Sequence, residues 1–331
     1  LYPEFEPLIR NPHIATIAGN FWRREIDTAR FPPVRTEYPI DPNTVVVAIE
    51  HQPETSDCLG QLVMLHGLEG SSDAGYIVSL AQDALTRGYG VHRLNMRSCG
   101  GTEHLSQTMY HSGLTSDTNF VLQQIRQRLK GPLFLVGFSL GGNVALKFAG
   151  ELGESDLLDG VCATSAPINL AAAVHAIDRP ANRIYARRFL GRLKARIQRK
   201  SLTDPQFYSV EGIEAINSIW EFDDRYTAPL FGFGTAANYY ATQSSNQYLH
   251  AIRIPTLVIA AKDDPLVPFE MYRLPVFDAN PALTLIAPES GGHLGFLSRH
   301  RPRFWLDQVI MRWVDSRAKA LLEKPLQTTC S

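Results

Sequence analysis

Cysteine is scarce in this chain of 331 residues: Cys58, Cys99, Cys162 and Cys330 stand far apart, with no C-x-x-C pair. That spacing excludes a disulfide framework and offers no zinc site. Long apolar runs are lacking as well. The longest, such as residues 45–49 and 133–138, are strand-sized and fall well short of the roughly 20 residues that a bilayer-spanning helix needs. Nor is there an excess of charge of one sign. The 32 Lys and Arg against 33 Asp and Glu give no general attraction to polyanions, so nucleic acid is not an expected partner. The chain opens at Leu1 with Glu4 and Glu6 close by, unlike a basic-then-apolar leader, and the expectation is a cytoplasmic protein.

What is present is an alternation of short apolar runs, bounded by Gly, Pro and Asp, with longer segments of helical period. This predicts an α/β fold: a mostly parallel sheet flanked by helices. Eight strands are expected over 35–39, 44–50, 61–65, 90–94, 133–138, 160–165, 256–261 and 283–287. Asp41-Pro42-Asn43 is turn chemistry and makes the first two a hairpin at one edge. Helices are expected over 76–87, 116–129, 140–151 and 303–322. Residues 168–251 break the alternation, being helical in pattern and rich in Arg, Tyr and Phe. They are expected to form a helical lid (cap) insertion over the carboxyl ends of the strands, where open α/β sheets bind ligands. The core is then residues 1–167 and 252–331, with a frayed tail from about Pro325.

Gly137-Phe138-Ser139-Leu140-Gly141 matches G-x-S-x-G, with a buried strand before it and a helix after it. That context marks a nucleophile elbow, the sharp turn that exposes a serine at the top of an α/β-hydrolase sheet. A serine hydroxyl needs a base to take its proton and an acid to orient that base. In this fold the acid and then the histidine follow the serine in the chain. His175, His250, His293 and His300 remain, and only His293 lies in a glycine-rich loop after the last strand, Ser290-Gly291-Gly292-His293-Leu294-Gly295.

The strand over 256–261 ends in Lys262-Asp263-Asp264-Pro265. Asp264, four residues before Pro268, is the favoured acid, with Asp263 a turn or capping residue. Backbone amides of Leu140 and Leu68 are the expected oxyanion donors, the second from His66-Gly67-Leu68-Glu69-Gly70. His66 is read as shaping that loop. With Arg97, His111, Phe231 and Tyr239 it is placed beside the substrate. Cys99 lacks an elbow and is not a candidate nucleophile.

These residues resemble the YheT-like branch of the α/β-hydrolases, which has animal relatives described as phospholipid-cleaving. The resemblance runs through nearly the whole chain: Asn11-Pro12-His13, Phe21-Trp22-Arg23-Arg24, Asn95-Met96-Arg97-Ser98-Cys99-Gly100-Gly101, Tyr110-His111-Ser112-Gly113, and Glu221-Phe222-Asp223-Asp224 with Tyr226-Thr227. Where the family carries Gly, this chain has Ser98. The resemblance implies esterase or lipase-type activity on acyl esters without a cofactor or metal. Acyl transfer, thioester or amide cleavage, and phospholipase action stand as alternatives on the same triad, and a non-catalytic ligand-binding module as a further one. Epoxide hydrolases and dehalogenases of this fold place Asp at the elbow, which argues against both.

Two further features have competing readings. Residues 183–200 contain eight basic and no acidic side chains, with Tyr185, Phe189, Leu193 and Ile197 at four-residue spacing. Such a helix either rests on anionic lipid, as a peripheral membrane contact, or packs as a plain lid with solvated charges; the second is the expectation. Phe21 and Trp22 are expected to anchor the N-terminal arm onto the domain.

Overall fold

The structure, a computed structural model, describes residues 2–55 and 58–323; Cys330 and the tail expected from Pro325 lie outside them. In chain order the elements are α1 (Pro12–Phe21), β1 (Val34–Asp41), β2 (Thr44–His51), β3 (Gln61–Leu65), α2 (Gly75–Thr86), β4 (Gly90–Asn95), α3 (Ser116–Arg128), β5 (Leu133–Phe138), α4 (Leu140–Leu152) and β6 (Gly160–Thr164). The segment before the next strand contains α5 (Leu170–Ile177), α6 (Arg183–Thr203), α7 (Ile219–Phe222), α8 (Ala228–Leu230) and α9 (Ala236–Gln243). The chain closes with β7 (Thr256–Ile259), α10 (Val276–Ala279), β8 (Leu283–Ile286) and α11 (Trp305–Leu322).

The strands form one eight-stranded sheet in the order β1-β2-β4-β3-β5-β6-β7-β8. Only the β1–β2 and β2–β4 pairings are antiparallel. Strands β4, β5, β6 and β7 are buried along their whole length, as strands covered on both faces must be, which is why they read as continuous apolar runs. One face carries α2 and α11, whose Ile77, Leu80, Val309 and Ile310 pack on Leu62, Met64 and Val136. The other carries α3 and α4, and its core continues without a break into the helices between β6 and β7.

The expected strands and helices match the observed ones to within about two residues at each end. The one long helix not anticipated is α1. Its start is written in Asn11-Pro12: the Asn11 side chain caps the amides of His13 and Ile14 at 3.0 and 3.1 Å, and Pro12 occupies the first turn, where a missing N–H costs nothing.

The sheet delivers Ser139 through a turn of a single residue, since β5 ends at Phe138 and α4 begins at Leu140. Ser139 is held at φ 53° and ψ −122°, a conformation that costs a side-chain-bearing residue about 1–3 kcal/mol and persists only where the surroundings enforce it. Its amide donates to the Thr164 carbonyl at 2.8 Å, and its carbonyl accepts from the amides of Gly142 and Asn143 at 2.8 and 3.2 Å. The flanking glycines let the backbones close around it. A β-carbon on Gly137 would sit 2.2 Å from the Gly141 carbonyl oxygen, and one on Gly141 would sit 2.5 Å from that of Leu65. Gly141→Ala should therefore lower the unfolding free energy by about 3 kcal/mol, since rigid backbone rather than a movable side chain receives the clash. Urea denaturation followed by circular dichroism reads this directly, and parent-like stability would contradict the close approach.

Candidate active site

The loop after β8 brings His293 to the elbow: its Nε2 lies 2.9 Å from Ser139 Oγ and its Nδ1 lies 2.8 Å from Asp264 Oδ2. Asp264 is nearly buried and its other oxygen accepts from the amides of Leu266 and Val267 at 2.9 and 3.0 Å. Both oxygens are thus occupied, which fixes the carboxylate plane. The neighbouring Asp263 accepts from the Gly292 amide at 2.8 Å; burial raises its pKa, and that amide opposes the rise. The two adjacent acids divide the work: Asp264 meets the imidazole and Asp263 shapes the loop that carries it.

Helix α1 supplies the other half of that support. Thr16 Oγ1 accepts from the His293 amide at 2.9 Å and donates to the Pro12 carbonyl at 2.7 Å. Gly19 and Gly295 let helix and loop touch, since a β-carbon on Gly19 would be 2.7 Å from Gly295 Cα. Sequence reading missed Thr16, although Asn11-Pro12 followed by apolar residues at helical spacing carried the signal.

The loop after β3 is braced by two tyrosines. Tyr76 Oη accepts from the Gly67 amide at 2.9 Å and Tyr110 Oη from the Glu69 amide at 2.8 Å. The amide between them, that of Leu68, meets no acceptor among the described residues, and neither does that of Leu140 at the N-terminus of α4. His66 is fully buried beneath, its Nδ1 2.8 Å from the Gly67 carbonyl oxygen and its Nε2 accepting from the Met96 amide at 3.2 Å. Burial pushes its pKa down to about 4, so the ring is neutral and structural.

Glu69, at φ 54°, is tied to α6 by a buried ion pair, Arg196 Nη2 to Glu69 Oε2 at 3.0 Å. Arg196 also donates to the Ser98 carbonyl and lies over the Tyr110 ring, 5.3 Å from its centroid. Ser98 is itself at φ 58°, the left-handed region in which glycine is unstrained. Its Oγ donates to the Thr108 carbonyl at 3.0 Å.

Ser139, His293, Gly67, Leu68 and Tyr76 line an open cleft whose opposite wall is α1 and α6. A smaller cavity adjoins it at Leu68 and runs past Leu140 to His111, Asp223 and Tyr239. Burial pushes the His111 pKa down to about 3 and that of the Asp223 carboxyl up to about 6. Of the residues expected beside the substrate, His111 and Tyr239 line this cavity, and Phe231 packs edge-on against His111 with ring centroids 4.6 Å apart.

The other two lie off the cleft lining: Arg97 makes paired contacts of 2.6 Å to Asp117, and His66, also read as shaping the loop after β3, is buried beneath that loop. Burial also pushes the Cys99 thiol up to about 12. The reading of α6 changes too. Its apolar stripe packs inward, but its charges are not all solvated, because Arg196 and Lys200 are buried. Of the two aromatics expected to anchor the N-terminal arm, Trp22 packs edge-on against Phe304 with ring centroids 6.5 Å apart, whereas Phe21 is 70% exposed and small residues of α1 make the close contacts with the loop. No group of metal-binding side chains is assembled, and no helix is long and apolar enough to cross a membrane, among the described residues.

Residues 61–299 match the family model described as alpha/beta hydrolase fold. This chain belongs to that family. The hydrolase is 31% identical to YheT of Escherichia coli over 96% of its own length and 94% of that protein's. It is 27% identical to the monoacylglycerol lipase of Saccharomyces cerevisiae, over 78% of its own length and 60% of the yeast chain. Among solved structures, the hydrolase superposes on the Pyrococcus furiosus esterase Pf2001 with a TM-score of 0.56 at 16% identity, over 88% of its own chain and 98% of the other, a likeness of fold.

The buried Arg196–Glu69 pair makes α6 part of the loop that carries Leu68. Arg196→Met would strand the Glu69 carboxylate, whose side chain is 3% exposed, and should destabilise the hydrolase by about 3 kcal/mol or more. Chemical denaturation measures the loss, and an unchanged midpoint would show that the pair carries no weight.

Proposed function

We propose that this hydrolase cleaves carboxylic acid esters through an acyl-enzyme on Ser139, with His293 as general base and Asp264 as the acid that orients it. The observation that carries the reading is the unbroken chain Ser139 Oγ, His293, Asp264, at 2.9 and 2.8 Å, opening onto a cleft with free amides on Leu68 and Leu140. In this reading His293 takes the Ser139 proton as Oγ attacks the ester carbonyl. The developing oxyanion is met by the two amides, which need no reorganisation because the Tyr76 and Tyr110 hydroxyls and the α4 N-terminus already hold them. The leaving alkoxide receives the proton from His293. Water, activated by the same imidazole, then releases the acid and regenerates Ser139. The helices between β6 and β7 act as a cap, with the smaller cavity beyond Leu68 and Leu140 receiving part of the acyl group. The lipase name of the yeast relative supports an ester substrate.

Ser139→Ala should abolish turnover of p-nitrophenyl esters and labelling by a fluorophosphonate while leaving thermal stability within about 1 kcal/mol of the parent, because a single half-buried hydroxyl facing the cleft is removed. Labelling that survives in the variant would place the nucleophile elsewhere. A second comparison separates the two acids. Asp264→Asn should lower kcat by roughly 10⁴-fold through the wrong imidazole tautomer, whereas Asp263→Asn, which perturbs only a loop hydrogen bond, should cost far less. The reverse order would move the acid to Asp263.

A further inference from the structure

Ion pairs divide α6 into two halves. In its C-terminal half every cation has an acidic partner: Lys194 lies 3.8 Å from Glu214, Arg196 3.0 Å from Glu69, Arg199 3.0 Å from Glu103 and Lys200 2.7 Å from Asp204. The N-terminal half carries Arg183, Arg187, Arg188 and Arg192, all exposed, and none of these four meets a carboxylate among the described residues. Arg183 stands in the first turn, where the helix dipole already favours anions, and no acidic residue shares that turn. Arg188 and Arg192, one turn apart, both line the cleft, and no acidic residue lines it with them. Burial, followed by the repulsion of Arg192, lowers the Arg188 pKa.

Beside these cations lies an apolar surface. On α1, Ile14, Ile17 and Phe21 recur at helical spacing on the face opposite Ala15 and Gly19, and are 56%, 41% and 70% exposed; Ile184 on α6 is 73% exposed. The two surfaces are continuous, because Arg188 lies over the Phe21 ring, 5.3 Å from its centroid, and the His13 and Tyr185 rings stack at 5.9 Å. Ile17 and Arg188 line the same cleft. Single exposed apolar side chains are ordinary, whereas a group of them beside cations that no carboxylate meets, reaching the cleft through Ile17, Arg188 and Arg192, marks a contact surface.

We propose that this rim docks on an anionic lipid surface, the four arginines meeting lipid phosphates while Phe21, Ile14 and Ile184 enter the acyl boundary. Guanidinium forks suit phosphate oxygens, and apolar side chains between basic ones are the pattern of a helix lying in the membrane interface. An acidic protein would answer the charges but leave the apolar face unexplained. A second copy would answer the apolar face but bring four more arginines against these. The cleft would then open onto lipid, and the contact is independent of whether Ser139 cleaves esters.

The test is co-sedimentation of the full chain with phosphatidylcholine vesicles prepared with and without phosphatidylglycerol, at low and high salt. Binding should require the anionic lipid and weaken in high salt. Arg183→Gln with Arg187→Gln should reduce the partition coefficient about thirty-fold, and Phe21→Ser with Ile184→Ser about ten-fold or more. All four side chains are exposed, and unchanged thermal melting confirms that the variants fold. Binding that ignores phosphatidylglycerol, survives both double variants or never occurs at low salt would overturn the proposal. So would a dimer in sedimentation equilibrium that Phe21→Ser dissociates, which would assign the rim to a second copy.

Discussion

Ser139 sits in a backbone conformation that it would not choose, and most of the architecture around it can be understood as the means of keeping it there. The turn works because β5 is buried between β3 and β6, so the strand end cannot move, and because α4 starts at the very next residue. Glycine on either side is a requirement of distance: backbone oxygens of Leu65 and Gly141 occupy the space that a side chain would need. The same arrangement leaves the Leu140 amide at a helix N-terminus without an acceptor among the described residues, so one constraint both turns the hydroxyl toward the cleft and leaves an amide free beside it.

The other members of the site are held from opposite ends of the chain. Asp264 is locked by amides of its own loop, while His293 depends on Thr16 of α1 and on Asp263, which holds the amide just before it. The first twenty or so residues are therefore part of the site, though none of them contributes a reacting atom. The loop bearing Leu68 is held in a comparable way by Tyr76 from α2, Tyr110 from the segment before α3 and Arg196 from α6. Helix α6 is thus structural at one end, where buried cations are paired, and open at the other, where they are not.

Much of this was legible in the residues. The central strands are continuous apolar runs because both faces are covered, and the elbow motif needs its strand and helix immediately adjacent, so eight strands, the position of Ser139 and the choice of His293 all follow from local pattern. Asp264 over Asp263 followed from spacing to Pro268, and the geometry brings that carboxylate to the imidazole. Helix α1 escaped notice because its apolar residues Ile14, Ile17 and Phe21 face outward and its packing face is made of Ala15, Thr16 and Gly19, which carry little hydrophobic signal.

The sequence by itself determined the fold, because burial on both faces of a sheet and the strain of a one-residue turn leave local signatures in composition and spacing. Only the tertiary structure decided the fate of individual charges and polar groups. Arg97 and Arg196 look alike in sequence to Arg188 and Arg192, yet Asp117 and Glu69, distant along the chain, neutralise the first two, and no carboxylate reaches the second two. Whether a cation is a structural partner or an open one depends on which acids the fold brings within about 4 Å, and that proximity is not encoded in any local pattern.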